Sequence, residues 1–269
     1  MLQAVERRLS VLESLLLPPP PVAVPTATDL FTRAVGRPDP WQVEVLTSAA
    51  PRLALNCARQ AGKSAVVACL ALHEALTVPD SLTLLVSPSL RQSMELFRKV
   101  ARAFAALGAP MPLEAESKLA YELRNGSRLI ALPGQEGTVR GYSAVDMVVI
   151  DEASRVQDEL FDALMPMLGI KPEARLVTLS TPAGKRGWWF REWEQGEDWQ
   201  RIRIDVTRCP RIAAGHVERE RRSRPRAVFE QEYLCVFHDT EDAVFRFDDV
   251  QACVWGEVVP FLQRRAACT

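Results

Sequence analysis

The stretch Cys57-Ala-Arg-Gln-Ala-Gly-Lys-Ser64 decides the fold that this sequence predicts. It matches the phosphate-binding pattern G-x-x-x-x-G-K-[ST] at every fixed position except the first, where Cys57 replaces glycine. In such a loop the main-chain N–H groups surround the phosphates, the lysine reaches the β- and γ-phosphate oxygens, and the hydroxyl group holds Mg²⁺. We therefore predict that residues 57–64 bind the phosphates of a nucleotide.

The flanking segments fit a strand before this loop and a helix after it. Residues 52–56 form a short apolar run, and residues 65–76 are apolar and rich in alanine. A helix that begins at the loop favours anions, because its first N–H groups are unpaired and its dipole is positive there. A chance Gly-Lys-Ser at an ordinary turn is the alternative interpretation of the octet alone.

A second segment, Met147-Val-Val-Ile-Asp-Glu-Ala153, supplies two acids. Its four apolar residues predict a buried parallel strand, and the acids follow at the carboxyl end, where open α/β sheets place their ligands. We assign Asp151 to Mg²⁺ and Glu152 to the general base that activates the attacking water. A strand that runs into an acidic helix cap is the alternative.

Four further residues are candidates for the site, and three of them also have alternative roles. Ser180 and Thr181 end an apolar run, where they either sense the γ-phosphate or cap a turn before Pro182. Arg59 lies inside the loop, where a cation can stabilise charge on the transferred phosphoryl group. Arg140 lies in a glycine-flanked segment, which is either part of a phosphate site, an ordinary surface loop or a contact to DNA phosphates.

Composition and charge give no sign of a membrane-spanning segment, a metal-binding histidine or cysteine motif, or an overall basic surface. The chain has 269 residues, which predicts one large domain, alone or with a small appendage. Its six cysteines contain no C-x-x-C pair, which favours a reducing compartment, and its three histidines lack metal-ligand spacing. No apolar run is long enough to span a membrane. The net charge of −1 gives no overall basic signature for nucleic acid.

The order of patterns along the chain predicts its organisation. Residues 1–22 predict an amphipathic helix and a proline-rich linker, which either docks a partner or packs on the core. Residues 23–182 alternate strands and helices around a tight turn at Asn125-Gly126, which predicts a mostly parallel α/β sheet flanked by helices. Residues 183–250 predict a small lid with a helix over 217–233, and residues 251–269 a tail.

Two local features of this organisation have competing interpretations. The arginine-rich cluster at residues 218–226 either contacts phosphates or forms a solvated helix face with acid–base pairs four residues apart. Ahead of the first strand, Trp41 and Gln42 follow a helix start and are candidates to stack on and hydrogen-bond an adenine.

Taken together, these motifs resemble the ATPase domain of phage large terminase subunits, over roughly residues 30–250. The stretches that carry the resemblance are Asp39-Pro-Trp-Gln42, Ala58-Arg-Gln-Ala-Gly-Lys-Ser64, Val86-Ser-Pro-Ser89, Thr138-Val-Arg-Gly141, Val149-Ile-Asp-Glu-Ala153, Leu179-Ser-Thr-Pro182 and Phe229-Glu-Gln-Glu-Tyr233. A residue other than glycine at the first loop position is usual in that family.

The resemblance implies a P-loop NTPase of the additional-strand, catalytic-glutamate type, with a role for each matching residue. Glu152 would activate water, and Asp151 would hold the metal together with Ser64. Ser180 and Thr181 would couple hydrolysis to movement. Arg140 would act as an arginine finger in the neighbouring subunit. The implied nucleotide-binding residues are Trp41, Gln42, Cys57, Ala58, Arg59, Gln60, Ala61, Gly62, Lys63 and Ser64.

The resemblance also implies a function and partners. The chain would be an ATP- and Mg²⁺-dependent motor that translocates double-stranded viral DNA into a procapsid, in the host cytoplasm and at the portal vertex. It would work with the portal protein and the small terminase subunit in a ring, expected to be a pentamer, and be a monomer in isolation. No nuclease activity is expected from the 269 residues. A helicase-like nucleic-acid-dependent ATPase and a nucleotide-regulated docking module are the alternatives.

Overall fold

An eight-stranded sheet forms the middle layer of the molecule. The computed structural model describes residues 25–134, 136–239 and 253. The strands are β1 (Arg52–Cys57), β2 (Leu82–Ser87), β3 (Leu113–Glu116), β4 (Ala120–Leu123), β5 (Arg128–Pro133), β6 (Met147–Asp151), β7 (Arg175–Ser180) and β8 (Gln200–Ile204). The helices are α1 (Ala27–Ala34), α2 (Pro40–Leu46), α3 (Lys63–Thr77), α4 (Leu90–Ala106), α5 (Glu136–Val139), α6 (Asp158–Leu168), α7 (Gly187–Glu194), α8 (Ala214–Ser223) and α9 (Arg226–Leu234).

The sheet is mostly parallel, with the strand order β3-β4-β5-β2-β6-β7-β1-β8. Six neighbouring strands from β5 to β8 in this order run parallel, whereas β4 pairs antiparallel with both of its neighbours, β3 and β5. The predicted α/β fold and the hairpin at Asn125-Gly126 are therefore confirmed. Because β7 lies between β1 and β6, the loop and the two acids follow strands that are separated by one additional strand.

Helices cover both faces of this sheet. Side chains alternate along a strand, so Leu53 and Leu55 enter the cluster under α1 to α4, while Ala54 enters the cluster under α6 and α7. Strands that are buried on both faces are mostly apolar, which is why β1, β2 and β6 consist largely of hydrophobic residues. The parallel strands consequently all end at one edge, where the candidate residues lie.

The structure differs from the sequence-based expectation after residue 182. Strand β8 pairs in parallel with β1, so the central sheet extends beyond the boundary predicted between core and lid. The single helix predicted over residues 217–233 is two helices, because Pro225 cannot continue α8 and instead caps the start of α9. The predicted arm at 1–22 and the tail at 251–269, apart from residue 253, lie outside the described residues.

The arginine-rich cluster at residues 218–226 forms acid–base pairs within the helices. Arg222 pairs with Glu218 at 3.1 Å, and Arg224 pairs with Glu220 four residues earlier. These pairs agree with the interpretation of the cluster as a solvated helix face with acid–base pairs four residues apart. No helix within the described residues is long and apolar enough to cross a membrane.

Helix α7 is fastened to α6 by one buried aromatic contact. The Trp188 ring stacks on Phe161 with 4.0 Å between ring centroids and 8° between planes. Its indole N–H donates to the main-chain oxygen of Val156 at 3.0 Å, and its main-chain N–H donates to Asp158 at 2.9 Å. This contact fixes the chain that leaves β7 and leads to the edge strand β8.

We expect Trp188→Ala to lower the free energy of unfolding by about 3–5 kcal/mol, because it removes a large buried side chain and leaves a cavity. Trp188→Phe keeps most of the stacking and should cost less. Urea denaturation measures both changes. Val35→Ala serves as a control, since Val35 is exposed and its truncation should stay within about 0.5 kcal/mol. Equal midpoints for Trp188→Ala and the control would contradict an anchoring role for Trp188.

Candidate active site

The loop between β1 and α3 needs unusual backbone conformations at two positions. Gln60 and Gly62 have φ angles of 61° and 88°, in the left-handed region. Cys57, by contrast, is the last residue of β1 and is completely buried. The first position of the pattern is therefore part of an extended strand in this chain. That position does not require glycine, which explains why cysteine is accommodated there.

The main-chain N–H groups of the loop fall into two groups. The N–H of Ala58 donates to the oxygen of Ile204 at 2.7 Å, and that of Arg59 donates to the oxygen of Glu232 at 2.8 Å. These two bonds hold the first half of the loop against β8 and α9. Four loop N–H groups have no acceptor among the described residues and surround the start of α3, where an anion is favoured. They belong to Gln60, Gly62, Lys63 and Ser64.

The loop and the acids meet at the carboxyl edge of the sheet. Lys63 Nζ lies 2.8 Å from Glu152 Oε1, and both side chains are mostly buried. The Ser64 hydroxyl lies near the Asp151 carboxylate, whose pKa it lowers in part. Asp151 accepts the N–H of Glu152 at 2.9 Å, and Glu152 has a left-handed backbone conformation directly after β6. One compact group thus contains the lysine, the hydroxyl and both acids.

Burial and neighbouring opposite charges shift the pKa values of Asp151 and Lys63 in opposite directions. Burial raises the pKa of Asp151 above its ordinary value, although nearby Lys63 and the Ser64 hydroxyl lower it in part. For Lys63 burial lowers the pKa, but the carboxylates of Glu152 and Asp151 outweigh burial and raise it overall. Lys63 is therefore firmly cationic at neutral pH, and the Asp151 carboxylate is destabilised by burial and favours a further cation beside it.

A network of hydroxyl groups joins the turn after Glu152 to the end of β7. Ser154 and Ser180 share a hydrogen bond of 2.7 Å between their hydroxyl oxygens, and the Ser154 hydroxyl also lies 2.9 Å from the Thr181 main-chain oxygen, which it can reach as a donor. The Ser154 N–H donates to Ser180 Oγ at 3.2 Å. A movement of the turn that holds Glu152 must therefore also move the predicted coupling residues.

A cavity of about 250 Å³ lies over this group. Its lining includes residues that the sequence argument did not assign to the site, and they come from the turn Ala153–Arg155 and from α9. Arg155 follows the two acids closely in the sequence, so its positive charge could have indicated a place in the site. Gln231 and Glu232 belong to a motif that had no role attached. The lining residues are Arg59, Lys63, Glu152, Arg155, Thr181, Pro182, Gln231 and Glu232.

The two candidate arginines occupy different positions. Arg59 lines the cavity, and its guanidinium group forms an ion pair of 2.9 Å with Glu232. Arg140 is exposed and borders a separate groove together with Tyr142 and Met167. Within its own chain Arg140 is not among the residues that line the cavity around Lys63.

The two candidates for the adenine also differ. Gln42 lies beside the loop, since a Cβ placed on Gly62 would be 3.5 Å from Gln42 Nε2. Its Oε1 accepts the N–H of Asp39 at 2.8 Å and an N–H of Arg211 at 3.2 Å. Trp41 and Gln42 are both only 1% exposed, but Trp41 lies inside the hydrophobic core, whereas the Gln42 amide is beside the loop. The stacking role predicted for Trp41 does not fit this position, because both faces of its ring are covered by the core.

The donor set suits Mg²⁺ bound together with nucleotide phosphates. Ser64 and Asp151 offer oxygen ligands, which Mg²⁺ prefers. Among the described residues there is no group of three His, Cys, Asp or Glu side chains that would hold a metal by itself. Mg²⁺ commonly binds through one or two carboxylates while phosphates and water fill its remaining positions. Ser64 and Asp151 therefore fit a Mg²⁺ ion that is bound together with phosphates.

Comparisons with known proteins agree with this geometry. Residues 55–252 match the family described as "Terminase large subunit, T4likevirus-type, N-terminal". The structure resembles the large terminase ATPase domain of Thermus phage P74-26, with a TM-score of 0.68 and 19% identity over 79% of this chain and 99% of that chain. It also resembles the large terminase of bacteriophage HK97, with a TM-score of 0.57 and 18% identity over 70% of this chain and 44% of that chain.

A third similar structure is the large terminase of a thermophilic bacteriophage, solved in complex with ADP. Its TM-score is 0.63, with 11% identity over 74% of this chain and 54% of that chain. At these identities the three structures establish a shared fold. The sequence has no significant match among curated proteins.

We expect Asp151→Asn to raise the free energy of unfolding at pH 7 without nucleotide or Mg²⁺, because it removes a buried carboxylate. An acid whose pKa is raised by folding destabilises the folded state once the pH exceeds the unfolded-state value of about 4. The gain in stability should therefore shrink as the pH falls towards about 4. Urea denaturation across this pH range measures the difference.

Asp158→Asn is the matched control, and we expect it to change the free energy of unfolding in the opposite direction. Partial burial acts to raise the pKa of Asp158, but the Trp188 N–H and Arg191 outweigh it and lower that pKa. Removing this charge should therefore destabilise the protein at pH 7. A loss of stability in Asp151→Asn would show that the carboxylate is better compensated than its burial indicates.

Proposed function

This chain belongs to the family of terminase large subunits, and we propose that it is an ATP-hydrolysing motor that drives double-stranded viral DNA into a procapsid. The observation that carries the proposal is the group in which Lys63 lies 2.8 Å from Glu152 while the Ser64 hydroxyl lies near the Asp151 carboxylate. A lysine and a hydroxyl at the start of a helix bind phosphates, and a neighbouring glutamate can activate water for their hydrolysis.

The phosphates of ATP would bind to the free N–H groups at the start of α3 and to Lys63. Ser64 and Asp151 would hold Mg²⁺, which neutralises phosphate charge when bound. Gln42 lies beside Gly62 and is our candidate to contact the adenine. Arg59, on the cavity wall, would stabilise the charge that develops on the transferred phosphoryl group.

The lysine also controls the base. Without a bound phosphate, the cationic Lys63 pairs with Glu152 at 2.8 Å, so that the ammonium group occupies a carboxylate oxygen that would otherwise be open to water. Phosphates would compete for Lys63 and release Glu152, whose oxygen then accepts a proton from the attacking water. The base would thus become effective only after the substrate is in place.

The hydroxyl network supports a route from hydrolysis to movement. Glu152 lies two residues before Ser154, which hydrogen-bonds to Ser180 and to the main chain of Thr181. A change in the turn that carries Glu152 would displace the end of β7, which leads into α7 and the proposed lid at 183–250. We propose that this displacement is coupled to DNA translocation.

The position of Arg140 supports a ring. Arg140 is exposed and lies outside the cavity of its own chain, where a neighbouring subunit could receive it as an arginine finger. The proposed assembly is a homo-oligomeric ring, a pentamer in the working state, that acts with the portal protein and the small terminase subunit at the procapsid. The family match favours this motor over a helicase or a docking module.

We expect Glu152→Gln to bind ATP at least as tightly as the wild type, because the carboxylate that competes for Lys63 is removed, but to lower turnover by about 10²- to 10⁴-fold, because the base is lost. Phosphate release measures turnover, and calorimetry measures binding. Glu173→Gln, an exposed change of the same type, should keep full activity. Wild-type turnover by Glu152→Gln would refute the assignment of the base.

Arg140→Ala should lose turnover in the assembled ring, and mixing it with Glu152→Gln should restore part of that turnover. In a mixed ring, an Arg140→Ala subunit keeps its acids and receives an intact arginine from its neighbour. The restored turnover should pass through a maximum as the mixing ratio varies. Co-assembly is verified first by light scattering. Co-assembled rings that stay inactive at every ratio would contradict donation between subunits.

A further inference from the structure

The motif Phe229-Glu-Gln-Glu-Tyr233 places two polar residues on the wall of the catalytic cavity. Phe229 and Tyr233 are buried and stack on each other with 5.1 Å between ring centroids, which fixes α9 in position. Gln231 and Glu232 then face the phosphate loop and line the cavity. Glu230 instead pairs with Arg226 at 2.6 Å, away from the loop.

Glu232 makes three contacts that join the phosphate loop to the C-terminal helices. Its Oε1 lies 2.9 Å from the Arg59 guanidinium group, and its main-chain oxygen accepts the Arg59 N–H at 2.8 Å. Its Oε2 lies 3.1 Å from Arg224. The Glu232 side chain is 19% exposed, whereas that of Arg59 is 57% exposed, so the carboxylate is the fixed partner of the pair.

A carboxylate in this position competes with phosphate. Arg59 cannot fully pair with Glu232 and with a phosphate oxygen at the same time, and the Glu232 charge also repels the anionic substrate. A buried carboxylate left without a partner would be costly. Arg224 removes this difficulty, because it stays beside Glu232 when Arg59 turns towards a phosphate.

We propose that Glu232 holds Arg59 in the nucleotide-free protein and releases it to the bound phosphates, so that Glu232 sets the affinity for ATP and ADP. The inference rests on the proposed function in one respect, namely that the triphosphate occupies this cavity. The competition weakens nucleotide binding, and it also favours return of Arg59 to Glu232 when the product leaves.

Calorimetric titration with MgATP and MgADP tests the proposal. Glu232→Gln should bind both nucleotides about fivefold more tightly, as expected for the loss of one partly exposed ion pair. Arg224→Gln should weaken binding, because Glu232 then depends on Arg59 alone. The matched control is Glu230→Gln, which makes the same change on the same helix, away from Arg59, and should leave the affinity unchanged.

A double-mutant cycle separates this competition from a merely structural effect. Arg59→Ala should remove most of the gain from Glu232→Gln, because no arginine is left to be released and only the loss of direct repulsion between Glu232 and the phosphates remains. If Glu232 had only a structural role, Glu232→Gln and Arg224→Gln would change the nucleotide affinity in the same direction. The effects of Arg59→Ala and Glu232→Gln on the binding free energy would then simply add. Thermal unfolding of each variant verifies that it is folded before titration.

The outcomes distinguish this inference from the proposed function. Unchanged or weaker binding by folded Glu232→Gln, or an additive cycle, overturns the role of Glu232 while ATP binding by the wild-type protein stands. Failure of the wild-type protein to bind MgATP contradicts the proposed function itself. Tighter binding by Glu232→Gln together with weaker binding by Arg224→Gln supports the inference.

Discussion

The ion pair between Lys63 and Glu152 is the interaction on which the rest of the site depends. It requires the start of α3 and the end of β6 to lie at the same edge of the sheet. Parallel strands provide this arrangement, because all their carboxyl ends face one way. The additional strand β7 separates β1 from β6 and ends between the loop and the acids. The apolar layers on both faces of the sheet therefore serve the site by keeping these strand ends in register.

Charge balance explains how a site built for a highly charged substrate is stable without it. The cavity brings together three cationic side chains and two anionic ones, from Arg59, Lys63, Arg155, Glu152 and Glu232. Two of the cations are paired with the two acids. The same pairs occupy the groups that would act on ATP. In the proposed function, ATP binding would be an exchange of partners, in which phosphates replace carboxylates around Lys63 and Arg59.

Local sequence determined the parts of the fold and site that depend on neighbouring residues. The loop, the strand before it and the acids at the end of β6 were predictable, because each follows from a motif or from an apolar run. The pairing of β8 with β1, the burial of Trp41 and the contact of Glu232 with Arg59 were not. Each of these joins segments that are distant in sequence, or depends on which helix face the core covers. Pro225 did carry a local signal, and the break between α8 and α9 follows from it.

The cysteine at the first position of the loop has a consequence for chemical probing. Its thiol is completely buried at the end of β1, and burial raises its pKa well above the ordinary value. The thiolate is the nucleophile that reacts with alkylating reagents, so Cys57 is protected while the loop stays packed against β8. The chain therefore contains an intrinsic reporter at the base of its nucleotide site. Its labelling rate would follow local opening of that site, and bound nucleotide should slow it.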